Sequence, residues 1–287
     1  MTIKMGIPNK GRLYERSVEL LTKSGIDLGE DWGRSLCITA KAQDIEVMFV
    51  RAADIPTFIN AGAIDFGITG DDLVAESGYK LKKLSNLEFG ACHLAVAAPD
   101  ASGIKKAADI PDGARIATSF PNVTRKFFEK LGKKVEIVEI GGAAEIMPYL
   151  GVSDLISDLV ATGSTLKMNR LVEVCKVLDS QAAVFAKEKM DAAVAAKVND
   201  VVESMKSVID AEDKKYLMAN VPKAKLKDVE KIVPGIGGPT VMELSGNPGM
   251  VAVQVVISGK DMFNIINNLK KLGATGILTI AMDRLVE

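Results

Sequence analysis

Asp154-Leu-Ile-Ser-Asp158-Leu-Val-Ala-Thr162-Gly-Ser-Thr165-Leu166 is the stretch whose reading decides the fold. The apolar run Leu159, Val160, Ala161 is too short for a helix and stops at Thr162-Gly163-Ser164-Thr165, after which Leu166, Met168 and Leu171 permit one. The order is therefore strand, loop, helix. Such a junction aims unpaired backbone N–H groups at whatever lies over the loop, Gly163 allows close approach, and three hydroxyls add donors. Ala161, Thr162, Gly163, Ser164 and Thr165 thus suit a phosphate monoester. Asp158, one short strand away, is placed to accept hydrogen bonds from the hydroxyls of a phosphorylated sugar. An ordinary helix cap accounts for the same residues, since Ser and Thr are preferred there in any helix.

The same junction recurs upstream. Ile3, Met5 and Ile7 alternate as a strand does, and Pro8-Asn9-Lys10-Gly11 breaks it before a helix with Tyr14, Val18 and Leu21 on one face. Lys10, Gly11 and Arg12 then sit at a helix start, where cations oppose the dipole. A di- or triphosphate gives them a reason to be there; solvated surface charge is the alternative. Ile45 to Val50 predicts a strand running into Arg51-Ala-Ala-Asp54-Ile-Pro56, with Pro56 in a first helical turn. Ala63 to Leu73 predicts a strand ending at Gly70-Asp71-Asp72 before another helix, and for Asp71 a cap suffices. Several such loops at the carboxyl ends of strands are how open α/β sheets build ligand crevices.

Leu87 to His93 reads as a crossing into a second lobe, with strands at Leu94 to Ala98, Arg115 to Thr118 and Val135 to Ile140. Ser119 to Arg125 is a polar turn opening a helix. Gly141-Gly142-Ala143-Ala144-Glu145 permits close approach and sets Glu145 toward a ligand, or simply starts a helix. His93, the only histidine, lacks a neighbouring partner of its type and reads as structural. A strand at Ala182 to Ala186 returns to the first lobe, and a helix over Lys187 to Asp210 follows. Beyond residue 211, strands at Tyr216 to Asn220, Thr240 to Leu244, Val251 to Ile257 and Ile277 to Met282 alternate with helices at Lys225 to Val233 and Asp261 to Leu272. This βαββαβ order is the ferredoxin-like split βαβ unit. Appended to a two-lobed body, so small a unit regulates or assembles.

Lys plus Arg number 36 against 37 Asp plus Glu, so no basic field recruits nucleic acid, and an aromatic content of 5% supplies no base-stacking platform. Cys37, Cys92 and Cys175 lack any CxxC spacing, which predicts buried thiols in a reducing cytoplasm rather than disulfides or zinc. No long apolar segment opens the chain and none approaches the ~20 residues of a membrane span, so a cytoplasmic location without membrane association is expected.

The residues resemble those of the long-form ATP phosphoribosyltransferase family over nearly the full length. The most specific part runs from Glu145 through Leu150-Gly151 and Asp154 to the Asp-Leu-Val-x-Thr-Gly-x-Thr-Leu loop ending at Leu166. Pro8-Asn9-Lys10-Gly11, Arg51 with Asp54-Ile55-Pro56, Gly67-Ile68-Thr69-Gly70, and Ala117 through Thr124 also match family motifs, and Pro234-Gly235 to Pro239-Thr240-Val241 is similar to the start of its regulatory domain. The resemblance implies transfer of the phosphoribosyl group of phosphoribosyl pyrophosphate to N1 of ATP, with Mg²⁺ and loss of pyrophosphate. It implies an α/β fold: a two-lobed, type II periplasmic-binding-protein-like catalytic body (lobe I, residues 1–88 and 182–210; lobe II, 89–181) and a ferredoxin-like regulatory domain, 211–287, that binds histidine as inhibitor. A homo-oligomer, dimer and hexamer, is expected.

On this reading Glu145 and Asp158 are catalytic, and Asp154 with Ala161 to Thr165 holds phosphoribosyl pyrophosphate. Lys10, Gly11, Arg12, Arg51, Gly70 and Asp72 hold ATP or pyrophosphate, Gly238 and Thr240 hold histidine, and no metal ligand is assigned. Two positions depart from the family pattern: His93 stands where an Arg is usual, and Gly237-Gly238 where a Ser is common. The rival readings are a two-lobed binding protein for an anionic small molecule and a non-catalytic ligand-sensing subunit.

Overall fold

The period-two alternation of Ile3, Met5 and Ile7 becomes β1 (Ile3–Pro8), with all three side chains buried, in a computed structural model that describes residues 2–29 and 35–286. Tertiary contacts divide the chain into two units, Met1–Val202 and Glu203–Glu287, within the helix α6 (Ala192–Glu212).

The first unit holds two sheets. One is ordered β2 (Cys37–Ala40), β3 (Ile45–Val50), β1, β4 (Phe66–Gly70), β11 (Ala182–Lys187), β5 (Leu81–Asn86), with β3, β1 and β4 parallel and β11 antiparallel. Every residue of β4 is buried, as expected of a strand covered on both faces. The helices α1 (Tyr14–Lys23), α2 (Ile55–Ala61) and α3 (Asp71–Ser77) follow β1, β3 and β4 respectively. α1 buries Val18, Leu20 and Leu21, each worth roughly 1.5–3 kcal/mol of removed apolar surface.

The other sheet is ordered β10 (Leu171–Ser180), β6 (Cys92–Pro99), β9 (Leu155–Val160), β7 (Arg115–Thr118), β8 (Glu136–Glu139). β9, β7 and β8 are parallel, with α4 (Pro121–Lys130) after β7 and α5 (Ser164–Met168) after β9. The chain passes between the sheets twice, at residues 87–91 and at Gln181.

Some element bounds differ from expectation, each for a local reason. β9 begins at Leu155 because Ser157, which interrupts the apolar run, is buried and accepts the Thr124 hydroxyl at 2.9 Å. Leu171 opens β10 instead of continuing a helix, since Arg170 takes a left-handed φ of 52° and ends α5. The helix expected from Lys187 begins at Ala192, because β11 runs on to Lys187. Buried thiols were expected, but Cys37 is exposed and Cys92 and Cys175 are half-buried, all three free. Among the described residues no helix is long and apolar enough to cross a membrane.

The second unit carries an antiparallel sheet ordered β13 (Thr240–Glu243), β14 (Met250–Ser258), β12 (Lys214–Pro222), β15 (Thr275–Ala281), the split βαβ order. α7 (Leu226–Ile232) and α8 (Met262–Lys271) cover one face, and Val229 and Leu269 pack there with Leu217, Val221 and Val253. On the other face, β12 and β15 pair Tyr216 with Ile280 and Met218 with Leu278; Leu278 and Ile280 are exposed.

Candidate active site

β9 delivers the loop 161–165 at its carboxyl end. Val160 and Leu166, both buried with Ala95, Ala97, Ile156 and Leu171, pin the two ends of the loop to the core. Between them Gly163 takes φ 73°, ψ 4°, a left-handed turn that costs glycine nothing, and caps α5. The Thr162 and Ser164 hydroxyls lie 3.0 Å apart, and Ala161, Thr162, Ser164 and Thr165 are exposed. A cavity of about 150 Å³ opens beneath, walled by this loop, by Asp158 and by Glu145.

Glu145 reaches the cavity because the backbone turns sharply at Gly142 and at Ala143 (φ 53°), setting residues 144–146 against β9. Asp158 is half-buried and accepts the N–H of Leu159 at 2.8 Å. Burial pushes its carboxyl pKa above the ordinary range, Glu145's charge adds to the rise, and the Leu159 N–H opposes it. Two carboxylates around so small a space favour a guest that donates hydrogen bonds or carries positive charge. As oxygen donors they fit part of a Mg²⁺ shell, leaving substrate oxygens and water to complete it. No group of three or more His, Cys, Asp or Glu side chains is gathered for a metal among the described residues.

Because β3, β1 and β4 are parallel neighbours, their carboxyl-end loops share one edge, which brings together Arg51, the turn Lys10-Gly11-Arg12, and Gly70. Lys10 and Gly11 are exposed. Arg51 donates from Nε to the Asp54 carboxylate at 2.8 Å, with its side chain 70% exposed. Arg12 donates to the Gly90 carbonyl and, at 3.4 Å, to Asp72. His93 Nε2 lies 3.0 Å from the Glu173 carboxylate, within hydrogen-bond distance of one side chain and not part of a ligand set.

Two expectations need correction. Asp72 is only 1% exposed, with its carboxylate turned to Arg12 and Ser180, so it is not free to contact a substrate. Asp154 precedes β9 at its amino end, the opposite end from the loop. There it takes the Arg115 guanidinium at 2.9 Å and the Arg115 N–H at 2.9 Å, and the guanidinium holds its carboxyl below the usual range. It braces the amino ends of the neighbouring strands β9 and β7 and does not reach the cavity. The polar turn Ser119 to Arg125 opens α4 as expected, and its helix-start donors are spent internally: the Glu76 carboxylate accepts the N–H groups of Asn122 and Val123 at 2.9 and 3.0 Å. Glu76 and Ser180 carry no local motif that marks them in the sequence; their partners are 46 and 108 residues away.

In the second unit, Gly238 (φ 94°) and Thr240 stand exposed at the start of β13. The neighbouring cavity of about 430 Å³ is walled by Pro234, Gly235 and Ile236 rather than by these two.

The family model for ATP phosphoribosyltransferase matches residues 51–207, and that for the HisG C-terminal domain matches residues 211–284. The chain belongs to the ATP phosphoribosyltransferase family. The ATP phosphoribosyltransferase of Methanopyrus kandleri is 42% identical over 284 residues, 99% of each chain. That of Haloarcula marismortui is 43% identical over 286 residues, 99% of this chain and 100% of the other. A solved ATP phosphoribosyl transferase (HisG:HisZ) complex from Thermotoga maritima contains a chain 32% identical, with a TM-score of 0.65, covering 73% of this chain and 99% of that one. The substrate binding protein of an amino acid ABC transporter matches 73% of this chain and 94% of its own at 14% identity and a TM-score of 0.50, a likeness of fold alone. The chain is thus a pentosyl-transferring enzyme of the first step of histidine biosynthesis, in a family that uses ATP and phosphoribosyl pyrophosphate.

Proposed function

We propose that the chain transfers the phosphoribosyl group to N1 of the ATP adenine and releases pyrophosphate, using residues 1–88 with 182–210 and residues 89–181 as its catalytic lobes. The observation that carries this reading is the cavity in which the hydroxyl-bearing loop faces Asp158 and Glu145. Ala161 to Thr165 cradle the 5′-phosphate, and the carboxylates accept the ribose hydroxyls. As the bond from C1 to pyrophosphate breaks, positive charge grows on the sugar ring. The carboxylates, whose like charges repel each other, then gain more in the transition state than in the ground state. Lys10, Gly11, Arg12, Arg51 and Gly70 line the phosphate side, where each cation bonded to a phosphate oxygen contributes ~1.5–3 kcal/mol.

The adenine nitrogen brings its own lone pair, so positioning rather than a dedicated base drives the attack. Asp158 and Glu145 are the side chains that would help hold a Mg²⁺ ion brought in with the substrate, and such an ion would supply charge neutralisation for the leaving pyrophosphate. Residues 211–287 bind histidine near Gly238 and Thr240 as a feedback inhibitor. The exposed apolar sheet face, with Leu278 and Ile280, is where another subunit of a cytoplasmic dimer or hexamer packs. The test is release of pyrophosphate from phosphoribosyl pyrophosphate, with and without ATP and with and without histidine. ATP-dependent release that histidine suppresses is expected; release that does not need ATP rules the reading out.

A further inference from the structure

We infer that Ser180, acting through the buried carboxylate of Asp72, is a positioning residue for Arg12. The inference rests on the reading of Arg12 as a contact to pyrophosphate. Asp72 is 1% exposed, and a charge taken out of water persists only where its oxygens are bonded. The Ser180 hydroxyl donates to Oδ1 at 2.6 Å and accepts the Asp72 N–H at 3.1 Å. One serine thereby fixes both the backbone and the side chain of Asp72 and leaves Oδ2 for the Arg12 guanidinium, 3.4 Å away. The other side of that guanidinium donates to the Gly90 carbonyl.

Space is cut to this arrangement. A Cβ at Gly70 would lie 2.0 Å from Asp72 Oδ1, and one at Gly90, where φ is 65°, would lie 2.5 Å from Leu13 Cδ2. Both glycines therefore leave room for the assembly around Arg12. The two anchors come from the two places where the chain passes between sheets: Gly90 lies in the first crossing, and Ser180 ends β10 immediately before the second, paired with Cys92 of β6. A long, flexible cation is thus held from both crossings, so less rotamer entropy is lost when it meets a phosphate. A merely structural Ser180 would cap α3 and leave the phosphate side untouched.

The test is calorimetric binding of inorganic pyrophosphate, in the presence of Mg²⁺, to the full-length chain and to Arg12→Ala, Ser180→Ala and the double variant. Arg12→Ala is expected to weaken binding about tenfold or more, as loss of a charge-assisted bond does, and Ser180→Ala about three- to tenfold. The double variant should bind no more weakly than Arg12→Ala alone, because the serine acts only through the arginine. Should Ser180→Ala not fold, Asp72→Asn keeps the volume of the buried group while loosening its hold on Arg12, and the same pattern is expected. Ser180→Ala that binds normally, or that weakens binding by the same factor with Arg12 already removed, overturns the positioning role. Arg12→Ala that binds normally overturns instead the phosphate reading on which it rests.

Discussion

Asp158 carries a conflict that substrate resolves. Its folded pKa is raised by burial and by Glu145, so the folded chain holds the proton to higher pH than the unfolded chain does. The favourable contribution exists below the unfolded value and disappears as pH rises through the folded one, leaving a penalty near neutrality. Asp158→Asn should therefore raise the melting temperature of the ligand-free protein at pH 7, with the gain vanishing in acid; a lower melting temperature at pH 7 would contradict the electrostatic account. Asp154 has the opposite sign. Its pKa is depressed by Arg115, so its contribution is present above the unfolded value and lost as pH falls through the folded one. Both partners are well exposed, and after solvent screening Asp154→Ala should cost about 1 kcal/mol at neutral pH, without changing the Michaelis constant for phosphoribosyl pyrophosphate. That loop 161–165 and Asp158 lie together was legible in the sequence because they are within a few residues of each other. Asp72 and Asp154 were not, since partners 108 and 39 residues away decide where their carboxylates point.

Among elements, the meeting of α3 and α4 shows how helix ends are satisfied at a distance. Glu76, in the last turn of α3, fills two N–H groups at the start of α4, and its own carbonyl accepts the Asn122 side-chain amide at 3.1 Å. Glu76→Ala should cost about 1–2 kcal/mol in denaturant unfolding, as loss of a helix cap does; no loss would show that water serves those donors equally well. The strands that the pattern missed are of one kind. β2, β5 and β10 lie at sheet edges, and none shows a clear apolar alternation: β2 is only four residues long, β5 is mostly Lys, Ser and Asn, and β10 carries Glu173, Lys176 and Asp179. β1, β3 and β4, covered by neighbours, announced themselves as apolar runs.

At the scale of the whole molecule, the split βαβ order of the second unit was legible because β14 alternates Val251, Val253, Val255 and Ile257 between Gly249 and Gly259, and because Pro222, Pro239 and Gly273 mark where neighbouring elements end or begin. Its ligand was not, because a glycine turn such as Pro234 to Thr240 exposes donors without naming an acceptor. A chain ending at Asp210 should transfer phosphoribosyl groups without responding to histidine; inhibition undiminished in that fragment would remove the regulatory role of residues 211–287. The central claim is that the cavity between loop 161–165 and the carboxylate pair holds the sugar whose bond breaks. It is tested most directly by the initial rate of ATP-dependent pyrophosphate release, with both substrates saturating, in the full-length chain and in Asp158→Asn. The account predicts a fall in kcat of about 10²-fold or more, the size of a lost transition-state electrostatic contact, while the folded variant still binds phosphoribosyl pyrophosphate. Turnover within about twofold of the parent, a difference of less than ~0.5 kcal/mol in the barrier, would contradict it.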